Sequence, residues 1–143
     1  MLSLKKYRTG YTSGVFDLFH IGHLNILKRA KERCEFLIVG VTTDGLVYDR
    51  KAKYPVIPFE ERMEIVESVR YVDRVIPQAD MDKLNVCQIY MIDVVFVGDD
   101  WKGTESWIRF EKEFGGIGVD VVYFPYTSCT SSTILTEFIT KGI

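Results

Sequence analysis

The sequence has few cysteines and no long apolar run, and both absences narrow the kind of protein it encodes. Its three cysteines, Cys34, Cys87 and Cys129, are an odd number and show no CxxC spacing. We therefore expect neither a disulfide framework nor a structural zinc site, and a reducing compartment such as the cytoplasm fits best. No apolar run approaches the roughly 18–20 residues of a membrane span, and the N-terminus lacks the apolar core of a secretory signal.

An excess of positive charge is also missing. The 143 residues carry a formal net charge of −2 at pH 7, so the chain has no basic field that would attract nucleic acid. Any anion site must then be built from local charges. Hydrophobic residues make up 47% and charged residues 27% of the chain, which is a globular balance, and the length fits one domain over residues 1–143.

Short apolar runs rich in β-branched residues alternate with segments of helical period. The apolar runs predict strands at about 36–43, 93–98 and 119–125, and a weaker pattern predicts a first strand at about 7–13. Helices are predicted at about 22–33, 58–70, 81–91 and 104–114, and from about 131 near the C-terminus. This alternation is typical of a mostly parallel sheet covered by helices on both faces, in which ligands bind beyond the carboxyl ends of the strands.

The stretch GVFDLFHIGH, from Gly14 to His23, follows the first predicted strand and contains the two histidines of the chain, His20 and His23. A helix beginning near Gly22 would direct its free N–H groups and its positive dipole end into the same crevice. Two imidazoles three residues apart share one side of that helix entry and suit a phosphate whose charge grows in a transition state. The alternatives are two histidines that merely pack or cap, and a metal site, for which no third ligand is regularly spaced.

GVFDLFHIGH resembles the HxGH motif of the nucleotidyltransferase superfamily, with its preceding G-x-F-D. Three further segments, in the same order, resemble the glycerol-3-phosphate cytidylyltransferases and their choline- and ethanolamine-phosphate relatives: EERMEIVESVRYVDRVIP at 60–77, GDDWKG at 98–103 and YTSCTSST at 126–133. Class I aminoacyl-tRNA synthetases also contain HIGH, but they are much longer and carry a KMSKS-type loop that this sequence lacks. The resemblance implies a Rossmann-like three-layer α/β/α fold with a mostly parallel five-stranded sheet.

The same resemblance implies a reaction. Such enzymes transfer the nucleotidyl group of CTP to a small phosphorylated alcohol and release pyrophosphate, with glycerol 3-phosphate favoured here over choline, ethanolamine or polyol phosphates. The acceptor phosphate attacks in line without a covalent enzyme intermediate, so the protein positions the substrates and stabilises charge. The resemblance also implies Mg²⁺ held mainly by the nucleotide phosphates, and a homodimer.

Site residues follow from the resemblance, position by position. The expected catalytic residues are His20, His23, Lys51 and Arg62. The expected nucleotide-binding residues are Gly14, Val15, Phe16, Asp17, His20, His23, Asp99, Ser131, Ser132 and Thr133. Lys53 and Arg70 are expected at the acceptor phosphate, and no side chain is expected to ligate a metal. The alternatives are solvated charges for the lysines, a surface ion pair for Arg62, and an ordinary turn for the Gly-Asp-Asp segment.

The C-terminal segment departs from the family pattern. Tyr126 stands where the signature has arginine, and Cys129 and Thr130 replace its glycine and isoleucine, although residues 131–133 keep a hydroxyl-rich helix start. Two other functions therefore stay open. One is an ATP-dependent adenylyltransferase acting on a flavin or pantetheine phosphate, and the other is a catalytically weak, nucleotide-binding regulatory module.

Overall fold

The computed structural model describes residues 7–125 and 132–140, which form a parallel sheet of five strands covered by helices. The strands are β1 (Tyr7–Gly14), β2 (Cys34–Thr42), β3 (Arg74–Gln78), β4 (Val94–Gly98) and β5 (Asp120–Phe124). The helices are α1 (Ile21–Arg33), α2 (Asp44–Lys51), α3 (Phe59–Glu67), α4 (Lys83–Ile89), α5 (Glu105–Gly115) and α6 (Ser132–Thr140), with a short 3₁₀ helix at Asp99–Trp101. The expected Rossmann-like α/β fold is confirmed.

The strand order, β3-β2-β1-β4-β5, places the point of reversal between β1 and β4. The chain builds outward from β1 in one direction through β2 and β3, and then in the other direction through β4 and β5. Sheets of this kind bind ligands in the crevice at the carboxyl ends of the strands, where the order reverses. The loop after β1, which carries the HxGH motif, opens into that crevice.

The sheet separates two hydrophobic cores. Leu27 of α1 and Val66 of α3 are buried in the core on one face, whereas Phe110 and Phe114 of α5 are buried in the core on the other. Successive side chains of β2 enter the two cores in turn, because side chains alternate along a strand. A strand that is buried on both faces reads as a continuous apolar run, which explains why the sequence reveals β2 so clearly.

Two elements differ from the sequence prediction. No strand was predicted at β3, which is short and contains Pro77, a residue that cannot donate to the ladder and is tolerated because β3 lies at the sheet edge. Helix α2 was not predicted either, and Lys51 is its last residue. No helix within the described ranges is long and apolar enough to cross a membrane.

Candidate active site

A cavity of about 410 Å³ opens at the carboxyl ends of β1 and β4. Its walls come from the loop after β1, the first turns of α1, the end of α2 with the residues that follow it, the end of β4, and Thr136 of α6. His20, His23, Lys51 and Lys53 all line it. Gly14, Val15, Phe16 and Asp17 line it as well, so the structure brings together eight of the site residues that the sequence predicted. The rest of α1 and all of β2 lie between His23 and the helix that ends at Lys51.

Both histidines are held by backbone N–H groups at the start of α1. His20 is the N-cap of the helix, and its Nδ1 accepts a hydrogen bond from the Gly22 N–H at 3.0 Å. The Nδ1 of His23 accepts from the His20 N–H at 3.2 Å, which completes a reciprocal capping box. Since Nδ1 is the acceptor in each ring, the proton of each neutral imidazole lies on Nε2, where it can be donated to a ligand.

The surroundings of the histidines keep them neutral. The two rings stack with their centroids 3.9 Å apart, and Phe16 and Phe19 flank His23 at 5.4 and 5.3 Å. Burial and, to a smaller extent, the neighbouring His20 lower the pKa of His23 to about 4, against the opposing effect of Asp17. Burial also lowers the pKa of His20. At neutral pH the resting site therefore offers two preorganised N–H donors rather than two cations.

The loop between β1 and α1 has an unusual backbone. Phe16 and Leu18 adopt left-handed φ angles of 54° and 49°, which are uncommon for residues other than glycine. Strained backbone of this kind persists only when the surrounding structure holds it in place. The loop is held in this way by two charged side chains, Asp17 and Arg62.

Arg62 lies behind the loop and does not line the cavity. Its buried guanidinium donates to the carbonyl oxygens of Val15, Thr42 and Ile57 at 2.6, 2.8 and 2.9 Å, and to the Asp44 carboxylate at 2.6 Å. The structure therefore corrects two expectations. Arg62 is a positioning residue rather than the catalytic residue that was expected, and its ion pair is not a helix-surface pair, because its guanidinium is fully buried although Asp44 is 35% exposed.

Asp17 joins the motif loop to residues 52–58, which we call the strap. Its two carboxylate oxygens accept hydrogen bonds from the Val56 and Ile57 N–H groups at 2.8 and 2.9 Å. Ile57 also receives Arg62 on its carbonyl oxygen, so the end of the strap is fixed from two sides. Asp17 thus positions the motif loop against the strap, and its expected contact with the nucleotide stays a prediction.

Arg70 and Asp99 do not reach the cavity wall. Helix α3 ends at Glu67, so Arg62 and Arg70 do not share one helix as expected; the Arg70 guanidinium lies over the Tyr71 ring and donates to its hydroxyl at 3.1 Å. At the end of β4, Asp100 lines the cavity in place of Asp99. The substrate contacts of Arg70 and Asp99 remain predictions.

The remaining expected residues belong to the C-terminal segment. Ser131 lies outside the described residues, as do Tyr126, Cys129 and Thr130, and the description does not extend to the side chains of Ser132 and Thr133. Helix α6 begins at Ser132, and its Thr136 lines the cavity.

Lys83 was missed in the sequence. It is the first residue of α4, which packs on the face of the sheet opposite α3, and it is 7% exposed. Its Nζ donates to Ser13 Oγ at 2.7 Å and to Gln78 Oε1 at 3.2 Å. Ser13 lines the cavity, so Lys83 holds a cavity residue in place from outside the cavity. Nothing in its local sequence marks it, because a lysine at a helix start is normally exposed.

Comparison with known proteins agrees with this geometry. The family model described as cytidylyltransferase-like matches residues 11–143. The chain is 37% identical to glycerol-3-phosphate cytidylyltransferase of Bacillus subtilis (strain 168), over 88% of this chain and 92% of that protein. It is also 36% identical to FAD synthase of Pyrococcus abyssi, over 79% of this chain and 77% of the relative.

A solved structure shows the same fold. The lipopolysaccharide core biosynthesis protein of Thermoplasma volcanium superposes with a TM-score of 0.70 at 24% identity, over 84% of this chain and 96% of that one. The matched family and the cytidylyltransferase relatives, taken with the paired histidines at the crevice, show that the chain belongs to the cytidylyltransferase-like family and is a nucleotidyltransferase.

Proposed function

We propose that the protein transfers the cytidylyl group of CTP to a small phosphorylated alcohol, with glycerol 3-phosphate as the favoured acceptor. An oxygen of the acceptor phosphate attacks the α-phosphorus of CTP. The new P–O bond forms as the bond to the β-phosphate breaks, and pyrophosphate leaves with that electron pair. The observation that carries the proposal is the pair of stacked, neutral histidines at the start of α1 in a chain related to glycerol-3-phosphate cytidylyltransferases.

The histidines are suited to the charge that develops in this step. Each Nε2–H can donate to an α-phosphate oxygen, and the backbone N–H bonds that occupy Nδ1 hold both rings in place before the substrate arrives. Donors that need no reorganisation stabilise a transition state more than flexible ones do. Lys51 and Lys53 supply positive charge at the same cavity for the phosphates, in place of the signature arginine that is tyrosine at position 126.

The proposal also includes a metal ion and further substrate contacts. In the described ranges, no three His, Cys, Asp or Glu side chains converge on one point, so Mg²⁺ would bind through triphosphate oxygens and water, where it offsets phosphate charge. Asp99 and residues 131–133 would contact the nucleotide, and Arg70 the acceptor phosphate. We also propose that the enzyme acts in the cytoplasm and that it is a homodimer.

Pyrophosphate release across a grid of substrates tests the reaction. CTP, ATP, GTP and UTP are each combined, with Mg²⁺, with glycerol 3-phosphate, phosphocholine, phosphoethanolamine, ribitol phosphate and FMN. We expect turnover with CTP and glycerol 3-phosphate. If no pair of nucleotide and acceptor released pyrophosphate, the proposal would be refuted.

The His23→Ala variant tests the mechanism within the same assay. Loss of one preorganised donor is expected to lower kcat about a hundredfold or more, with the far-UV circular dichroism unchanged. Lys28→Ala, an exposed substitution on the same helix, serves as the control and should retain wild-type turnover. Wild-type turnover by His23→Ala would remove His23 from the mechanism.

A second function is adenylyl transfer from ATP to FMN. Its support is the 36% identity with the Pyrococcus FAD synthase and the loss of the signature arginine at Tyr126. A preference for ATP and FMN in the same grid would establish it and retain the histidine mechanism. Pyrophosphate release at catalytic rates with any pair would rule out a mere nucleotide-binding module.

A further inference from the structure

The cavity has two halves on either side of the histidines. Strand β1, which leads into the histidine loop, lies between β4 and β2 in the sheet. The end of β4 forms one half of the cavity, with Asp100 and Trp101. The end of α2 and the strap form the other half, with Lys53 and Tyr54. We place the nucleotide toward the first half, next to the residues that follow β4, and the acceptor phosphate at Lys53, the role that the sequence resemblance implies for this lysine. The acceptor's organic part then lies beside Tyr54.

Tyr54 is unusual among the cavity residues because its ring is largely open to solvent. It is 65% exposed, and it stacks on the 46% exposed ring of Tyr48 with the centroids 4.7 Å apart and the planes 23° from parallel. Core packing does not account for two tyrosine rings at this level of exposure. The pair instead presents a preformed aromatic surface at the cavity mouth, with Tyr48 supporting Tyr54 from α2.

The position of Tyr54 is coupled to the reacting centre. The strap residues just beyond it, Val56 and Ile57, are bonded to Asp17 of the motif loop. That loop leads within three residues to His20. A molecule in contact with Tyr54 is thus placed relative to the histidines through a short, hydrogen-bonded path.

The chemistry of this surface favours one class of acceptor. A tyrosine offers an apolar face for C–H groups and a hydroxyl for hydrogen bonds, which matches a polyhydroxylated carbon chain or ring. An exposed aromatic ring attracts a cation weakly, and Lys51 and Lys53 beside it repel one.

We propose that Tyr54, supported by Tyr48, binds the organic part of the acceptor and selects uncharged, hydroxylated alcohol phosphates over phosphocholine and phosphoethanolamine. This inference rests on the proposed function and adds to it a specificity-determining residue that the sequence did not single out.

Steady-state kinetics with separate KM values for nucleotide and acceptor test the inference. Tyr54→Ala should raise the KM for glycerol 3-phosphate up to about tenfold, the effect of losing one aromatic contact, and leave the KM for CTP unchanged. Tyr54→Phe should largely restore the acceptor KM, and Tyr48→Ala should raise it less than Tyr54→Ala. Phe36→Ala is the matched control, because Phe36 is also an exposed aromatic residue but lies near the amino end of β2, away from the crevice.

The outcomes separate the two proposals. An unchanged acceptor KM in Tyr54→Ala, a change confined to the KM for CTP, or a wild-type preference for phosphocholine would overturn the inference while cytidylyl transfer stands. A wild-type enzyme that used only ATP and FMN would overturn both the cytidylyl assignment and this selectivity. A wild type that released no pyrophosphate with any pair would refute the proposed function and the inference with it.

Discussion

Two buried cations support the loop after β1 from opposite faces of the sheet, and their charges are balanced in different ways. Arg62 meets the Asp44 carboxylate and three backbone carbonyl oxygens. Lys83 meets two neutral oxygens, Ser13 Oγ and Gln78 Oε1. The planar guanidinium reaches four acceptors at once and includes a counter-charge among them, whereas the ammonium has no carboxylate among these partners.

The difference appears in the titration of the lysine. Burial, with a further contribution from Arg50, lowers the pKa of Lys83 to about 8, while Cys87 acts in the opposite direction. The same polar cluster contains Tyr11, whose hydroxyl donates to Gln78 Oε1 at 3.1 Å and whose pKa is raised by burial. One face of the sheet thus holds the loop with a fixed ion pair, and the other holds it with a group that can lose its charge.

Of the substitutions that test this comparison, replacing the arginine should lower the stability of the protein most. Arg62→Ala leaves the Val15, Thr42 and Ile57 carbonyl oxygens and the Asp44 carboxylate without their shared donor. We expect the free energy of unfolding to fall by about 3–5 kcal/mol, as when one partner of a buried ion pair is removed. Denaturant unfolding followed by circular dichroism measures the loss.

Arg62→Lys is the control for this experiment. It keeps the charge but cannot form the planar fork, so its loss should be clearly smaller than that of Arg62→Ala. Equal losses in the two variants would show that the retained charge contributes nothing and that the planar fork alone accounts for the role of Arg62, whereas wild-type stability of Arg62→Lys would show that the charge alone accounts for it.

Removing the lysine should change the free energy of unfolding less than removing the arginine, and the change should depend on pH. The ordinary lysine pKa of 10.5 lies above the folded value of about 8, so between these values the unfolded chain holds a proton that the folded chain has lost. The wild type should therefore gain stability relative to Lys83→Met as the pH rises through this window, by about 1.4 kcal/mol per pH unit. Below pH 8 the buried charge weighs against folding, so Lys83→Met should be as stable as the wild type or more so.

Unfolding of both proteins in urea at pH 7, 8 and 9 measures this difference. Lys112→Met, at an exposed position of α5, controls for the general effect of losing one positive charge. A stability difference that stayed constant with pH would show that Lys83 titrates normally in the folded protein.

The smallest effect is expected at the hydroxyl of Tyr11. Tyr11→Phe removes one buried hydrogen bond, but Gln78 Oε1 still accepts from Lys83. The loss of stability should be about 0.5–1.5 kcal/mol in chemical denaturation. Tyr7→Phe, which removes an exposed hydrogen bond to Asp120, should lose less. A larger loss in Tyr7→Phe than in Tyr11→Phe would contradict the view that burial determines the value of these bonds.

At the site, sequence reasoning identified the residues that belong to local motifs and missed those that do not. The motif identified His20 and His23 because their spacing and the adjoining helix start are local features, and Lys51 and Lys53 were recognised through their resemblance to a family segment. Arg62 was recognised as important but was expected to be catalytic, whereas its buried guanidinium lies behind the loop. Lys83 and Tyr54 were not singled out at all, because neither belongs to a local pattern that implies burial or exposure.

The same limit applies to the fold. Strands β2, β4 and β5 were predicted from apolar runs and β1 from a weaker pattern, and the helix pattern marked α1 to its last residue, Arg33. Strand β3 escaped because an edge strand of five residues with a proline has neither a long apolar run nor a clear alternation.

The class of fold, the family and the histidine pair can be read from the sequence, because strand and helix periodicity and a ten-residue motif are properties of neighbouring residues. Which charges are buried, and which groups they bind, depends on how the helices pack against the sheet. Arg62 is 47 positions from Val15, and Lys83 is 70 from Ser13. Contacts over such separations exist only after the sheet has brought α3 and α4 against the end of β1, and the burial that they create determines the behaviour of both cations.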